Sequence, residues 1–225
     1  MSNFVIILGK SGTGKSRSIK SLDPKETLVI NVLGKRLPFK GSNALYNKEN
    51  QNMSCVNDFA GVITMLDYAE KTATIKNVVI DDGIYIMRTE FFNRSKETGY
   101  NKYNELGDHF RRIISKCNSL REGLNIFMML HSETEETEGN IIGYKASTVG
   151  KLLDKMYNPL ENVTMVLYSE PKFDSKGNPQ FGFYTHKVRS NNVELPAKTP
   201  EGMFEEDFIP NDLGLVVKAM EEYYG

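Results

Sequence analysis

Cysteine is scarce in this chain of 225 residues: only Cys55 and Cys117 occur. Neither has a partner at metal-ligand spacing, so a cysteine metal site is excluded, and both read as reduced core or near-core thiols rather than a redox centre. Charge of one sign is also missing. With 28 Lys and Arg against 29 Asp and Glu, the net charge of -1 supplies no global attraction to nucleic acid or membranes. Any polyanion must therefore meet a local basic patch. No run approaches the roughly 18 apolar residues of a membrane span. No basic segment followed by an apolar one opens the chain, so the protein is expected to stay in the cytoplasm where it is made. Internal repeats and low-complexity segments are absent too.

What is present suits one substantial core. Hydrophobic residues make up 40% of the chain, and its length favours a single domain over 1–225, with a hairpin and C-terminal extension at about 170–210. Short apolar runs recur: "FVIIL" from Phe4, "TLVINV" from Thr27, "NVVI" from Asn77, "NIFMML" from Asn125 and "VTMVLY" from Val163. Helical patterns separate them. This alternation predicts an α/β fold, a mostly parallel sheet covered by helices on both faces. The clearest helix is "YNELGDHFRRIISKCNSLR", with Leu106, Phe110, Ile113, Cys117 and Leu120 on one face. Other helices are predicted at about 15–22, 58–71, 83–94, 148–157 and 212–223. "SKGNPQFGFYT" reads as a turn leading into an extended strand that adds a hairpin at a sheet edge.

The first strand runs into "GKSGTGKS", where Gly9, Gly14, Lys15 and Ser16 satisfy the G-x-x-x-x-G-K-[ST] pattern between a strand and a helix. Glycines let the backbone turn its N–H groups onto phosphate oxygens, and the start of the following helix favours the negative charge. The expected nucleotide contacts are Gly9, Ser11, Gly12, Thr13, Gly14, Lys15, Ser16 and Arg17. Lys15 would reach the β- and γ-phosphates, and the Ser16 hydroxyl would ligate Mg2+.

A phosphate loop needs a carboxylate from a neighbouring strand, and "VVIDD" supplies Asp81 as the metal-holding candidate. Asp82 has two readings: a cap for the next helix, or the group that polarises the attacking water. In "FMMLHSE", His131 emerges at the same sheet edge, either as a γ-phosphate sensor or as a hydrogen-bonded structural residue. Ser132 and Glu133 are weaker sensor candidates.

Together "GKSGTGKS", "NVVIDDGIYIM", "GYNKYNELGDH", "IFMMLHSE" and the tail "AKTPEGMFEEDFIPNDL" resemble the phage-encoded RecA-like P-loop ATPases of the AAA-type ATP-binding family, which includes single-strand annealing and recombination proteins. The resemblance touches most of the chain. It implies a RecA-like core, ATP with Mg2+, and action on single-stranded DNA in recombination or replication. It also puts nucleotide contacts on Gly12 through Ser16, metal contact on Asp81 and a sensor on His131. One departure stands out: many RecA-like ATPases carry a catalytic glutamate just after the second strand, where this chain reads "VINVLGKRLP" with no acid. Either Asp82 takes over or hydrolysis is slow.

RecA-like assemblies usually complete the site with a basic residue from the adjacent subunit. Lys187, Arg189 and Lys198 are the candidates for such a finger in a homo-oligomer, or else ordinary surface charges. For DNA, "FFNRSKETGYNKYNE" interleaves Arg94, Lys96 and Lys102 with Tyr100 and Tyr103, as a sequence-tolerant single-strand site requires. Lys145 and Lys151 follow His131, though "ETEETEG" between would repel phosphates. Both segments read equally well as solvated loops. Two further readings remain: a nucleotide-dependent switch or loader for a phage replication or single-strand-binding protein, and a small-molecule kinase, for which the arginine-rich lid is lacking.

Overall fold

The computed structural model describes residues 1–149, 157–190 and 193–225. In chain order the elements are β1 (Asn3–Gly9), a 3-10 helix (Ser16–Ser21), β2 (Thr27–Asn31), α1 (Ser42–Leu45), β3 (Met53–Ser54) and α2 (Phe59–Lys71). Then come β4 (Asn77–Asp81), α3 (Ile84–Asn93), α4 (Asn101–Ser119), β5 (Asn125–Thr137), β6 (Asn140–Ala146), a 3-10 helix (Pro159–Asn162) and β7 (Met165–Ser169). The last part holds β8 (Lys172–Phe173), β9 (Pro179–Gln180), β10 (Gly182–Tyr184), β11 (Val188–Ser190), β12 (Val193–Leu195), β13 (Phe208–Pro210) and α5 (Leu213–Tyr224).

The central strands lie in the order β3-β2-β4-β5-β1-β7, all parallel, as the alternating pattern predicts. Their residues are apolar on both sides because both faces are covered. One apolar cluster joins Ile6, Leu8, Ile80 and Met128 to α2 and α4 through Leu66 and Phe110; the other joins Val5, Ile7, Val79 and Phe127 to α5 through Val216 and Met220. The predicted stripe of α4, Leu106 to Leu120, is buried throughout. At the amino ends of the strands Asn3 donates to Asn125, and Asn125 to Asn77, at 2.9 and 3.1 Å. This ladder pins the register: Gly9 lies opposite His131, and Ile80 opposite Met128. Phosphate loop, Asp81 and His131 therefore share the carboxyl edge of the sheet.

Three details differ from the sequence expectation. The helix after the phosphate loop is a short 3-10 segment, because Ser18 and Ser21 bond back to the carbonyls of Lys15 and Ser18 at 2.6 and 3.0 Å, competing with α-helical bonding. The strand carrying His131 does not end there but runs on to Thr137, pairing antiparallel with β6 where a loop was expected. The 170–210 segment adds more than one hairpin: β10 and β13 extend the β7 edge, β11 and β12 extend β6, and β8 and β9 form a separate pair. The helix expected at about 148–157 falls almost wholly outside the described residues.

One long-range anchor holds α2 to the end of α4. The Arg121 guanidinium donates to the carbonyls of Ala69, Glu70, Thr72 and Ile75, and its backbone N–H donates to the Glu70 carboxylate at 2.8 Å. Ala69 and Glu70 lie in the last turn of α2, where carbonyls lack α-helical partners, and Thr72 and Ile75 lie just beyond it. Arg121→Ala is expected to cost about 1.5–3 kcal/mol. In thermal unfolding that is a drop of roughly 3–12 °C. An unchanged melting temperature would mean that water serves those carbonyls equally well.

Candidate functional site

The turn after β1 is built by position-specific glycines. Gly12 and Gly14 take left-handed φ values of 81° and 99°, which side chains with a Cβ rarely adopt. Gly14 also lies against Phe181 and Asn211, which come from the far end of the chain. The loop is braced from within and from the sheet: the Thr13 hydroxyl donates to the Lys10 carbonyl at 2.9 Å, and the Ser169 hydroxyl donates to the Thr13 carbonyl at 3.0 Å.

Lys15 is buried, its ammonium donating to the carbonyls of Gly9 and Lys10 at 2.7 and 2.6 Å. Burial lowers its pKa to about 8, against the opposing pull of the Asp82 and Asp81 charges. Ser16 donates to Asp81 across 2.8 Å. Burial pushes the Asp81 carboxyl up to about 6 despite that bond, and the neighbouring Asp82 charge adds to the rise. Asp82 behaves oppositely. Burial would raise it, but hydrogen bonds from His131 and Lys35, together with the Lys35 charge, hold it below the usual carboxylate range.

Asp82 has a left-handed φ of 59°. Its carboxylate does not cap α3, whose N-cap is Gly83 with no side-chain bond. Instead one oxygen lies 3.0 Å from His131 Nε2 and the other 3.0 Å from Lys35 Nζ. Tyr85 meets the His131 ring edge-on. These groups line a cleft of about 280 Å³ at the sheet edge, with Ser11, Gly12, Gly14, Lys15, Ser16 and Arg17 along one wall and Lys35, Arg36, Asp81, Asp82 and His131 along the other.

The cleft brings together the loop residues Ser11, Gly12, Gly14, Lys15, Ser16 and Arg17 with Asp81, Asp82 and His131. Gly9 and Thr13 support the loop from behind. Lys35 and Arg36 were missed, although "GKRLP" already displayed the basic pair where an acid was sought. Phe181 and Asn211 carried no local signal, since only folding brings them to Gly14. Among the described residues, neither polar atom of the buried Asn211 amide has a hydrogen-bond partner, while Phe181 packs under the Arg17 guanidinium.

The finger candidates lie elsewhere. Lys187 pairs with Glu194 at 2.6 Å, Arg189 is exposed on β11, and Lys198 bridges Val166 of β7 through its backbone, with burial lowering its ammonium pKa. None of the three lines the cleft. The proposed DNA segment is corrected in part. Lys102 is buried, donating to the Glu97 carbonyl at 3.0 Å with its ammonium over the rings of Phe91 and Tyr103. Arg94 is engaged by Glu90, Glu97 and Glu105. Lys96 and Tyr100 remain exposed, as does Phe92. Lys145 pairs with Glu133 at 3.3 Å, and Lys151 lies outside the described residues.

The donor set suits Mg2+. Ser16 and Asp81 present adjacent hard oxygens, and Mg2+ is commonly held by one or two carboxylates with substrate phosphates and water completing its shell. Among the described residues no cluster of three or more His, Cys, Asp or Glu could hold a metal without such phosphates. No helix among them is long and apolar enough to cross a membrane.

Residues 2–198 match a protein-family model described as "AAA domain". Among solved structures the chain is similar to an ATPase from the type III secretion system of pathogenic bacteria, at 11% identity and a TM-score of 0.46. The alignment covers 77% of this chain and 51% of that one, so this chain spans about half its length. No curated protein matches the sequence.

Proposed function

Because this chain belongs to the AAA domain family, we propose that it binds ATP with Mg2+ at the Gly12–Ser16 loop, hydrolyses it, and works on single-stranded DNA in phage recombination or replication. The observation that carries the nucleotide reading is the 2.8 Å bond between Ser16 and Asp81 beside buried Lys15. It joins the phosphate-loop hydroxyl to a carboxylate two strands away, the pair that Mg2+ needs on its protein side. When bound, Mg2+ would neutralise charge on the β- and γ-phosphate oxygens. Lys15 would turn from its two carbonyls to the phosphates, and Asp82, oriented by His131, would accept a hydrogen bond from the attacking water.

For DNA, the support is the exposed group of Lys96, Tyr100 and Phe92 between α3 and α4. Rings stack on unpaired bases, and a lysine tracks the phosphate backbone without reading sequence. The finger in trans from Lys187, Arg189 or Lys198 belongs to the same reading, and it requires a homo-oligomer.

ATPase measured with and without a single-stranded oligonucleotide tests this directly. Stimulation is expected, together with oligonucleotide binding that weakens as salt rises. Lys96→Ala should flatten the log–log salt slope by about one. Lys102→Ala should lower the melting temperature instead, since that ammonium is buried. Salt-insensitive binding, or none, would remove the DNA reading and favour a nucleotide-gated switch or loader that docks a replication protein.

A further inference from the structure

The loop after β2, with no acid in it, presents Lys35 to the phosphate cleft. We propose that Lys35 is a catalytic cation supplied in cis: it leaves Asp82 to pair with the γ-phosphate once a nucleoside triphosphate is bound. The inference rests on the triphosphate reading of the same cleft.

Three observations converge on it. First, the backbone at Lys35 is fixed while its side chain, paired with Asp82 and lying over the Tyr85 ring, is open to solvent. Buried Asn31 donates to the Lys35 carbonyl at 2.6 Å and accepts from the Gly34 N–H at 3.2 Å, with Gly34 in a left-handed turn. The Lys35 side chain itself is 62% exposed. Second, its ammonium already sits at the working end of the site, 3.0 Å from Asp82, whose neighbour Asp81 accepts from Ser16. Third, the charges in the cleft are unbalanced: Lys15, Arg17, Lys35 and Arg36 face only Asp81 and Asp82. A triphosphate corrects that surplus, and the γ-phosphoryl group carries its most concentrated negative charge.

Those facts give Lys35 two partners in turn. In the structure Asp82 holds it. A γ-phosphate offers more charge than one carboxylate already shared with His131, so the ammonium transfers and Asp82 is released toward the water. During hydrolysis the bond from the γ-phosphorus to the bridging oxygen breaks, water supplies the new P–O bond, and the water proton passes by way of Asp82 to the departing phosphate. Lys35 neutralises the equatorial oxygens throughout. Lys35 supplies this charge from within the chain, in addition to what the trans finger of a homo-oligomer contributes.

The test compares wild type with Lys35→Ala and Lys35→Arg, measuring ADP and ATP affinities with Mg2+ by calorimetry and turnover at saturating ATP. Because the side chain is exposed, melting temperatures should match. Lys35→Ala is expected to leave ADP affinity unchanged, to reduce the preference for ATP over ADP by about tenfold or more, and to lower kcat by roughly 10²- to 10³-fold. Lys35→Arg should recover part of both. Mixing Lys35→Ala with a Lys15→Ala chain, which retains Lys35, should restore nothing. An unchanged ATP preference, an equal or raised kcat, or recovery on mixing would overturn the cis assignment while wild type still binds ATP. Failure of wild type to bind any Mg-nucleotide would instead remove the triphosphate reading beneath it.

Discussion

Lys15→Ala should weaken Mg-ATP binding by roughly 10- to 150-fold, the equivalent of losing hydrogen bonds to a charged group worth about 1.5–3 kcal/mol. In the structure this ammonium is buried and bonded to the Gly9 and Lys10 carbonyls. An arriving phosphate replaces those neutral acceptors with full negative charge, so the interaction strengthens where water is excluded. Alanine removes the cation and leaves those two carbonyl oxygens without their donor. Isothermal calorimetry on the variant, with circular dichroism to confirm folding, reads the effect. Wild-type heat from a folded Lys15→Ala protein would mean that the nucleotide binds elsewhere.

Gly9→Ala should destabilise the scaffold next to the loop. A Cβ built on Gly9 falls 2.4 Å from the Ser169 carbonyl oxygen, 3.0 Å from the Thr13 hydroxyl and 3.1 Å from the Ser169 Cβ. The nearest of these is backbone in β7, so no side-chain rotation relieves the overlap. Strands β1 and β7 must part where the phosphate loop leaves the sheet. Overpacking of this kind costs about 1–3 kcal/mol. That corresponds to a fall of roughly 2–12 °C in melting temperature. Binding should weaken as well, because the Ser169 hydroxyl braces the loop through the Thr13 carbonyl. A variant with wild-type melting and affinity would mean that the strands adjust freely at this point.

The elements that were legible beforehand share a physical basis. Apolar runs of five or six residues bounded by polar ones can be buried on both sides only within a covered parallel sheet, and the observed strand order follows that logic. The α4 stripe was readable because spacings of three and four leave one apolar face. The helix after the phosphate loop was misjudged because a periodic pattern does not reveal serines bonding back to the chain. At the site, Lys15, Ser16 and Asp81 could be named from spacing alone. Lys102 could not be judged in the same way, since the stretch that makes it look like a phosphate contact also supplies the Glu97 carbonyl and aromatic rings that bury it.

The amino-acid order by itself determined that this chain forms a parallel α/β sheet whose first strand ends in a tight glycine-rich turn, because local periodicity and a glycine-lysine-serine spacing act over a few residues. Tertiary structure decided the rest: that Asp82 lies between His131 and Lys35, that Phe181 and Asn211 press on Gly14, and that the strand beyond His131 continues as an antiparallel ribbon. Those pairings join residues far apart in the chain, and only the register of packed strands brings them within hydrogen-bonding distance.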